Sequence, residues 1–331
     1  MVDRRLSVAP MMDWTDPHDR FFLRQCSRHT LLYTEMVPAQ AVWFGKAERF
    51  LAHQLSERPV AVQFGGSDPR QLELCARLAG DWAYDEVNLN VGCPSDRVQS
   101  GRFGACLMAE PQLVAELVAA MRGATSLPVT VKTRIGIDDM DSEAELFAFI
   151  EAIRASGART VIIHARKAWL QGLSPKQNRE IPPLCYQRVF AVKDAFPDME
   201  VIINGGVQSL DEAAMLLERV DGVMMGRAAY HNPYLLAEAD RRIFGDAGSP
   251  VATEHELVEA YLPYVEARLA EGERLSRMTR HIVGLFQGRP GARRWRRYLS
   301  EHGPRRDADS EVIRAALALV SPEIEREAVS G

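Results

Sequence analysis

A chain of 331 residues, 47% hydrophobic and 26% charged, has the composition of a globular protein with room for one large domain and one small one. No run of 18 apolar residues occurs, which excludes a helical membrane span, and the opening MVDRRLSVAP passes from charge into a strand-like run with no signal-peptide core. The net charge of −5 does not announce a nucleic-acid partner, and five scattered cysteines without a CxxC pair exclude a disulfide frame or a zinc site and predict a reducing, cytoplasmic location.

Eight short β-branched runs follow one another at intervals that hold one strand and one helix. They are Leu6–Pro10, Leu31–Met36, Val60–Gly66, Glu86–Cys93, Val129–Gly136, Thr160–Arg166, Val201–Gly206 and Gly222–Arg227. Between most of them lie helix-patterned stretches such as DPRQLELCARLAG and DSEAELFAFIEAIRASG. Several open on Asp or Ser at the N-cap, and two close on Gly. Eight strands alternating with helices over about 240 residues predict a TIM (β/α)8 barrel, an α/β fold. The rival open, doubly wound sheet would carry GxGxxG after its first strand, and that motif is absent throughout. After the barrel, assigned to residues 1–243, GDAGSPVATE reads as a linker over 244–253. Residues 254–331 show helical periodicity without strand signal and predict a small all-α bundle.

Six of the eight runs start aliphatic and end on chemistry: Gln63, Asn90 with Cys93, Lys132 with Arg134, His164 with Arg166, Asn204-Gly205-Gly206, and Gly226-Arg227. Barrel enzymes assemble their sites at these C-terminal strand ends. Glycines after the seventh and eighth strands, with Arg227 beside them, suit a phosphate held by backbone N–H groups and a guanidinium. Lys132 in a barrel mouth needs an anionic partner, because burying an unpaired ammonium costs several kcal/mol. A Schiff-base substrate, a phosphate and a flavin all meet that need. There is no HxH pair or carboxylate cluster, so no metal is expected. Cys93 differs from the other cysteines. The strand NLNV carries two amides, then Gly92, Cys93 and Pro94 end it, so the thiol sits at the mouth as a nucleophile or a general acid. Asn90 lies on the cleft-facing parity of the same strand.

Together these motifs carry a resemblance. APMMDWTD, YTEM, VAVQFGGSDP, DEVNLNVGCPSDRV, GACLM, VTVKTRIG, HARKAWLQGLSPKQNREIPPL, NGG and DGVMMGRAAY run through the barrel, and GLFQGRPGARRWRRYLSE lies in the tail. Across its whole length the chain resembles the flavin-dependent tRNA-dihydrouridine synthases, and its long loop and tail resemble their A-type branch. The resemblance implies an oxidoreductase that reduces the C5=C6 bond of D-loop uridines 20 and 20a, with FMN bound and NADPH as reductant. It implies Cys93 as the acid that protonates uracil C5. It also implies FMN contacts at Pro10, Met11, Met12, Gln63, Lys132, His164, Asn204, Gly205, Gly206, Gly226 and Arg227. For tRNA it implies Lys176, Arg179, Arg293 and Arg296, with Asn90 against the target nucleotide. A monomer is expected.

Charge distribution supports an RNA partner independently. Between Gly272 and Arg306 there are ten arginines and two glutamates, a local +8 in a chain that totals −5. The loop after the sixth strand adds Lys167, Lys176 and Arg179 over about 20 residues, and loops of that length in compact domains tend to be functional. A flavin barrel acting on a free pyrimidine explains the glycines, Lys132 and Cys93 but leaves the arginines idle. A non-catalytic RNA scaffold uses the arginines but leaves Cys93 and the glycines unexplained.

Overall fold

The computed structural model describes residues 2–248 and 250–321. Eight strands form one all-parallel sheet: β1 (Leu6–Val8), β2 (Leu32–Pro38), β3 (Val60–Gly65), β4 (Glu86–Val91), β5 (Val129–Arg134), β6 (Thr160–His164), β7 (Glu200–Asn204) and β8 (Gly222–Met225). Their order is β1-β8-β7-β6-β5-β4-β3-β2, and a parallel bridge between Ser7 and Leu31 closes the ring between β1 and β2. Closure leaves no sheet edge to solvate, which is why nearly continuous aliphatic runs suit these strands. Local signals fix the helices between them. Ser142 and Glu145 form a reciprocal capping box at the start of Glu143–Ala155, and Asp68 caps Pro69–Asp81 through the N–H groups of Arg70 and Gln71.

The barrel interior divides into two walls. Ala9, Leu31, Tyr33, Ala61, Ile162, Ile202 and Met224 form one buried apolar cluster. On β4 the side chains two apart, Glu86, Asn88 and Asn90, are all buried as well, and they build a polar wall with Gln63 and Thr130.

The chain separates into two compact units. The first holds the barrel and runs to Arg20 and from His29 to Gly226. The second joins Phe21–Arg28 to the chain from Arg227 onward. The division therefore falls at Gly226/Arg227, before the position read from the sequence, and the helical segments Arg227–His231 and Ala239–Arg242 go with the second unit. Within that unit Asp240 is fully buried and accepts from Ser27 Oγ at 2.5 Å and from the Arg28 N–H at 2.8 Å, so the segment read as preceding the bundle is part of its core. The 244–253 segment is likewise anchored there: the Asp246 N–H donates to the Asp240 carbonyl at 3.0 Å, and Val251 is buried. Among the described residues four helices follow: Glu254–Ala270, Leu275–Ile282, Ala292–His302 and Glu311–Leu317. Trp295 is fully buried among them, stacks edge-on to Phe286 at 5.0 Å and donates its indole N–H to the Ile282 carbonyl at 3.1 Å. Its neighbours Arg293, Arg294, Arg296 and Arg297 are exposed. Among the described residues no helix is long and apolar enough to cross a membrane, and no cluster of three His, Cys, Asp or Glu side chains could hold a metal ion.

Candidate active site

The polar wall explains the amides that open the NLNVGCP motif. At the N-terminal end of the barrel, Glu86 accepts from Arg4 Nε at 2.6 Å, from Thr130 Oγ1 at 2.7 Å and from the Tyr33 hydroxyl. Asn88 Nδ2 donates to Thr130 Oγ1 at 2.8 Å, and Gln63 Nε2 donates to Asn88 Oδ1 at 2.8 Å. Asn90 Nδ2 then donates to Gln63 Oε1 at 2.7 Å. Asn90 Oδ1 finally accepts the N–H groups of Gly92 at 3.1 Å and Cys93 at 3.0 Å. One unbroken hydrogen-bonded file thus runs from the barrel floor to the backbone of Cys93. A buried amide costs free energy unless its donors and acceptors are met, and here each is.

Asn90 therefore sits beneath the cysteine loop as its support, with its oxygen committed to that loop. Gln63 likewise spends both ends of its amide inside the wall. Cys93 is half-buried, and its Sγ lies 3.5 Å from Ser95 Oγ. Cys106 hydrogen-bonds the Phe103 carbonyl at 3.2 Å, and burial raises its pKa. Cys26 and Cys75 are fully buried and inert, Cys75 being pushed up to about 12 by burial.

Register carries the site across the next strands. Asn90 pairs with Lys132 across β4 and β5, Arg134 pairs with His164 across β5 and β6, and His164 pairs with Asn204 across β6 and β7. Lys132 has no ion-pair partner among the described residues. Burial draws its pKa down to about 7, with a further push from Arg134 and an opposite pull from Cys93. Burial, followed by Arg134, Lys132, Arg166 and Arg179, holds His164 well below its ordinary pKa, so its ring is neutral. Its Nδ1 is buried with no hydrogen-bond partner.

The glycine loops lie beside it. Gly205 and Gly206 both have positive φ, 113° and 79°. A Cβ on Gly205 would meet the His164 ring at 2.8 Å, so only glycine lets the backbone pass that ring. Gly226 is open: an added Cβ would find nothing nearer than Ala9 Cβ and Met11 Sδ, both at 3.9 Å. That closeness brings the loops after β8 and β1 together. On the β1 loop Pro10 and Met11 are half-buried and Met12 is exposed. Asn204 Nδ2 is used on the Met224 carbonyl at 2.7 Å. Arg227 opens the helix that directly follows Gly226 and belongs to the second unit, as do Arg293 and Arg296.

The long segment between β6 and the helix Tyr186–Ala195 is organised by Asn178. This residue is fully buried; its Oδ1 accepts the Trp169 N–H at 2.8 Å and its Nδ2 donates to the carbonyls of Trp169 and Leu173 at 2.9 and 3.2 Å. Lys167 pairs with Asp141 at 2.9 Å and lies over the Trp169 ring. Lys176 and Arg179 flank Asn178 and are exposed. Asn178, Gln99 and the floor residue Glu86 were not singled out from sequence. For Glu86 a signal existed: Glu86, Asn88 and Asn90 recur with a period of two, which puts all three on the inward face.

The comparisons agree with one another. The dihydrouridine synthase (Dus) family model matches residues 7–320. The tRNA-dihydrouridine(20/20a) synthase of Vibrio cholerae is 57% identical over 317 residues, covering 96% of both chains. The one from Escherichia coli K12 is 57% identical over 321 residues, covering 96% of this chain and 92% of its own. Among solved structures, TcOYE with pHBA superposes with a TM-score of 0.54 at 12% identity, over 72% of this chain and 88% of that one, which speaks to the fold alone. A closed parallel barrel with its thiol on the loop after β4, matched from Ser7 to Val320 by one family model, makes this chain a member of the dihydrouridine synthase family.

Proposed function

We propose that the protein reduces uridines 20 and 20a in the tRNA D-loop to dihydrouridine, with FMN in the barrel mouth, NADPH as reductant and Cys93 as general acid. The observation that carries this reading is the support of Cys93 on Asn90, next to a lysine without an anionic partner.

The donor set fits FMN. Lys132 offers an uncompensated cation and His164 an unsatisfied ring nitrogen. The open Gly226 leaves room for a phosphate against the backbone, and the left-handed Gly205-Gly206 turn supplies backbone N–H groups on this reading. On this reading Pro10, Met11 and Met12 give the β1-side contact, Gln63 and Asn204 the polar contacts within the barrel, and Arg227 a phosphate contact. FMN held by these residues would supply a hydride for uracil C6, with NADPH as the reductant that restores it.

The chain's own residues do the rest. The Cys93 Sγ–H bond breaks and its proton goes to C5, so the ring gains one hydrogen at each carbon and loses the double bond. The thiolate left behind lies in the fields of Lys132 and Arg134, which stabilise it until solvent returns a proton. Asn90 sets the height of the acid over the target nucleotide by gripping the two N–H groups before it. Neutral His164 adds no charge that would oppose a cation-dependent site. A target base must be flipped from the folded tRNA at a cost of a few kcal/mol, and the exposed Lys176, Arg179, Arg293 and Arg296 supply phosphate contacts that offset it.

The test is Cys93→Ala. The variant is expected to retain FMN and its reduction by NADPH while dihydrouridine formation falls about 10²–10⁴-fold, the contribution of a positioned general acid. Near-normal turnover removes Cys93 as the acid. Loss of dihydrouridine at positions 20 and 20a in tRNA from cells lacking the protein tests the substrate.

A further inference from the structure

The backbone around Cys93 is tied on every side. Its N–H is held by Asn90, and its carbonyl accepts the Ala105 N–H at 2.9 Å. The two peptide carbonyls that flank it are taken by side chains from outside the turn. Arg134 Nε donates to the Gly92 carbonyl at 2.9 Å, and Gln99 Nε2 donates to the Pro94 carbonyl at 2.8 Å. Both side chains then reach the same distant segment. Arg134 Nη1 donates to the carbonyls of Lys167 at 3.2 Å and Asn178 at 3.0 Å. Gln99 Nε2 donates to the Leu170 carbonyl at 2.7 Å. That segment carries Lys176 and Arg179 on its exposed side and is closed upon itself by Asn178.

Arg134 is a costly way to fill this place. It is 5% exposed and pairs with no carboxylate among the described residues, and burial draws its pKa down to about 10. An aliphatic side chain would bury more cheaply. A guanidinium is what spans three carbonyls from two loops in one plane, because its N–H groups form a rigid fork. The cost makes sense if the tie itself has a use.

We propose that Arg134 and Gln99 are positioning residues that staple the loop of Cys93, one on each side, to the loop of Lys176 and Arg179, so that the acid reaches its working position only while that second loop is folded. The proposal rests on Cys93 being the acid. Its consequence is that tRNA engaging Lys176 and Arg179 also fixes the thiol, and a substrate that fails to order that loop meets a misplaced acid. Recognition and proton transfer are then one event, read through five hydrogen bonds.

The experiment uses two variants on opposite ends of the staple, in the flavin-loaded full chain. Gln99→Met removes both amide contacts at a half-buried position while keeping the length of the side chain. It is expected to speed amide hydrogen exchange in residues 168–179 at least about tenfold and to lower kcat for tRNA reduction by a similar factor, with FMN content unchanged. Asn178→Ala loosens the other loop. It is expected to change the rate of Cys93 alkylation by iodoacetamide at least about threefold, read peptide by peptide to separate it from half-buried Cys106 and Cys185. Unchanged exchange in Gln99→Met, or unchanged Cys93 alkylation in Asn178→Ala, overturns the staple. If Cys93→Ala keeps its turnover while the two loops still exchange together, the acid reading fails and the coupling stands. If Cys93 is essential and the loops exchange independently, only the staple fails.

Discussion

Lys132 gives the sharpest quantitative expectation. With its pKa near 7 before any anion is present, about half of the apoprotein carries the ammonium at pH 7 and about 3% at pH 8.5. If FMN requires the charged form, its apparent dissociation constant scales inversely with that fraction, so affinity falls about 16-fold across the interval, ~1.6 kcal/mol. The phosphate of FMN, with a second pKa near 6, stays a dianion throughout and contributes little slope. The assay is fluorescence titration of flavin-free protein at pH 7, 7.75 and 8.5 at constant ionic strength. Lys132→Met should give a flat profile with weaker binding at pH 7. Riboflavin locates the contact: a slope retained without the phosphate assigns the ammonium to the ring. The sign in stability follows from the same shift. Between about 7 and the ordinary lysine value of 10.5, the unfolded chain holds a proton on Lys132 that the folded apoprotein lacks, so the apoprotein gains stability as pH rises through that window. An FMN affinity that varies less than about twofold over the interval, or an undiminished slope in Lys132→Met, refutes the reasoning.

Two further expectations concern the ends of the molecule. Arg293→Ala with Arg296→Ala should weaken tRNA binding and lower the slope of log affinity against log salt by about 1.4–1.8, the release from two phosphate contacts. Arg297→Ala, whose guanidinium already pairs with Glu301 at 2.8 Å, should change the slope less, and equal effects would remove the assignment. Glu86→Ala strands Arg4 with Glu200 alone and takes from the Tyr33 and Thr130 O–H donors the carboxylate that both share, so it should cost about 3–5 kcal/mol in urea unfolding. A loss below about 1 kcal/mol would show that the floor of the wall is solvated.

Much of the barrel was legible because strands and helices announce themselves locally. Each run read from sequence overlaps a strand, and all but the second overshoot its end by one or two residues. The overshoot consists of the residues with chemistry, such as Gly92-Cys93 and Gly205-Gly206, where backbone leaves the ladder to make the mouth. Trp295, set among the arginines, belongs to the core, where it packs against Phe286. Three-dimensional partnership was not legible. Gln99 lies 71 residues from Leu170, and Arg134 lies 44 from Asn178; no periodicity connects such pairs. The stretch after β8 is a further case of distant partnership. Asp240 accepts from Ser27, 213 residues away, and from Arg28, both within the second unit.

The two walls of the barrel state how such a site is kept. From Arg4 through Glu86, Thr130, Asn88, Gln63 and Asn90, every amide and hydroxyl in the polar file has a partner, and its lower members Glu86, Thr130 and Asn88 are engaged wholly within the wall. An apolar wall in its place would be at least as stable, since buried polar groups at best recover their desolvation cost. What the file adds is register: shifting β4 by one residue would turn Asn88 and Asn90 out of the barrel and break every link at once. At the register of Asn90, which pairs with Lys132, and beyond it the balance reverses. Lys132 has no anionic partner and His164 Nδ1 has none of any kind. Satisfied groups below and unsatisfied groups above mark the level at which the protein stops being a scaffold, and Cys93 stands at that level because Asn90, the last satisfied amide, holds its backbone there.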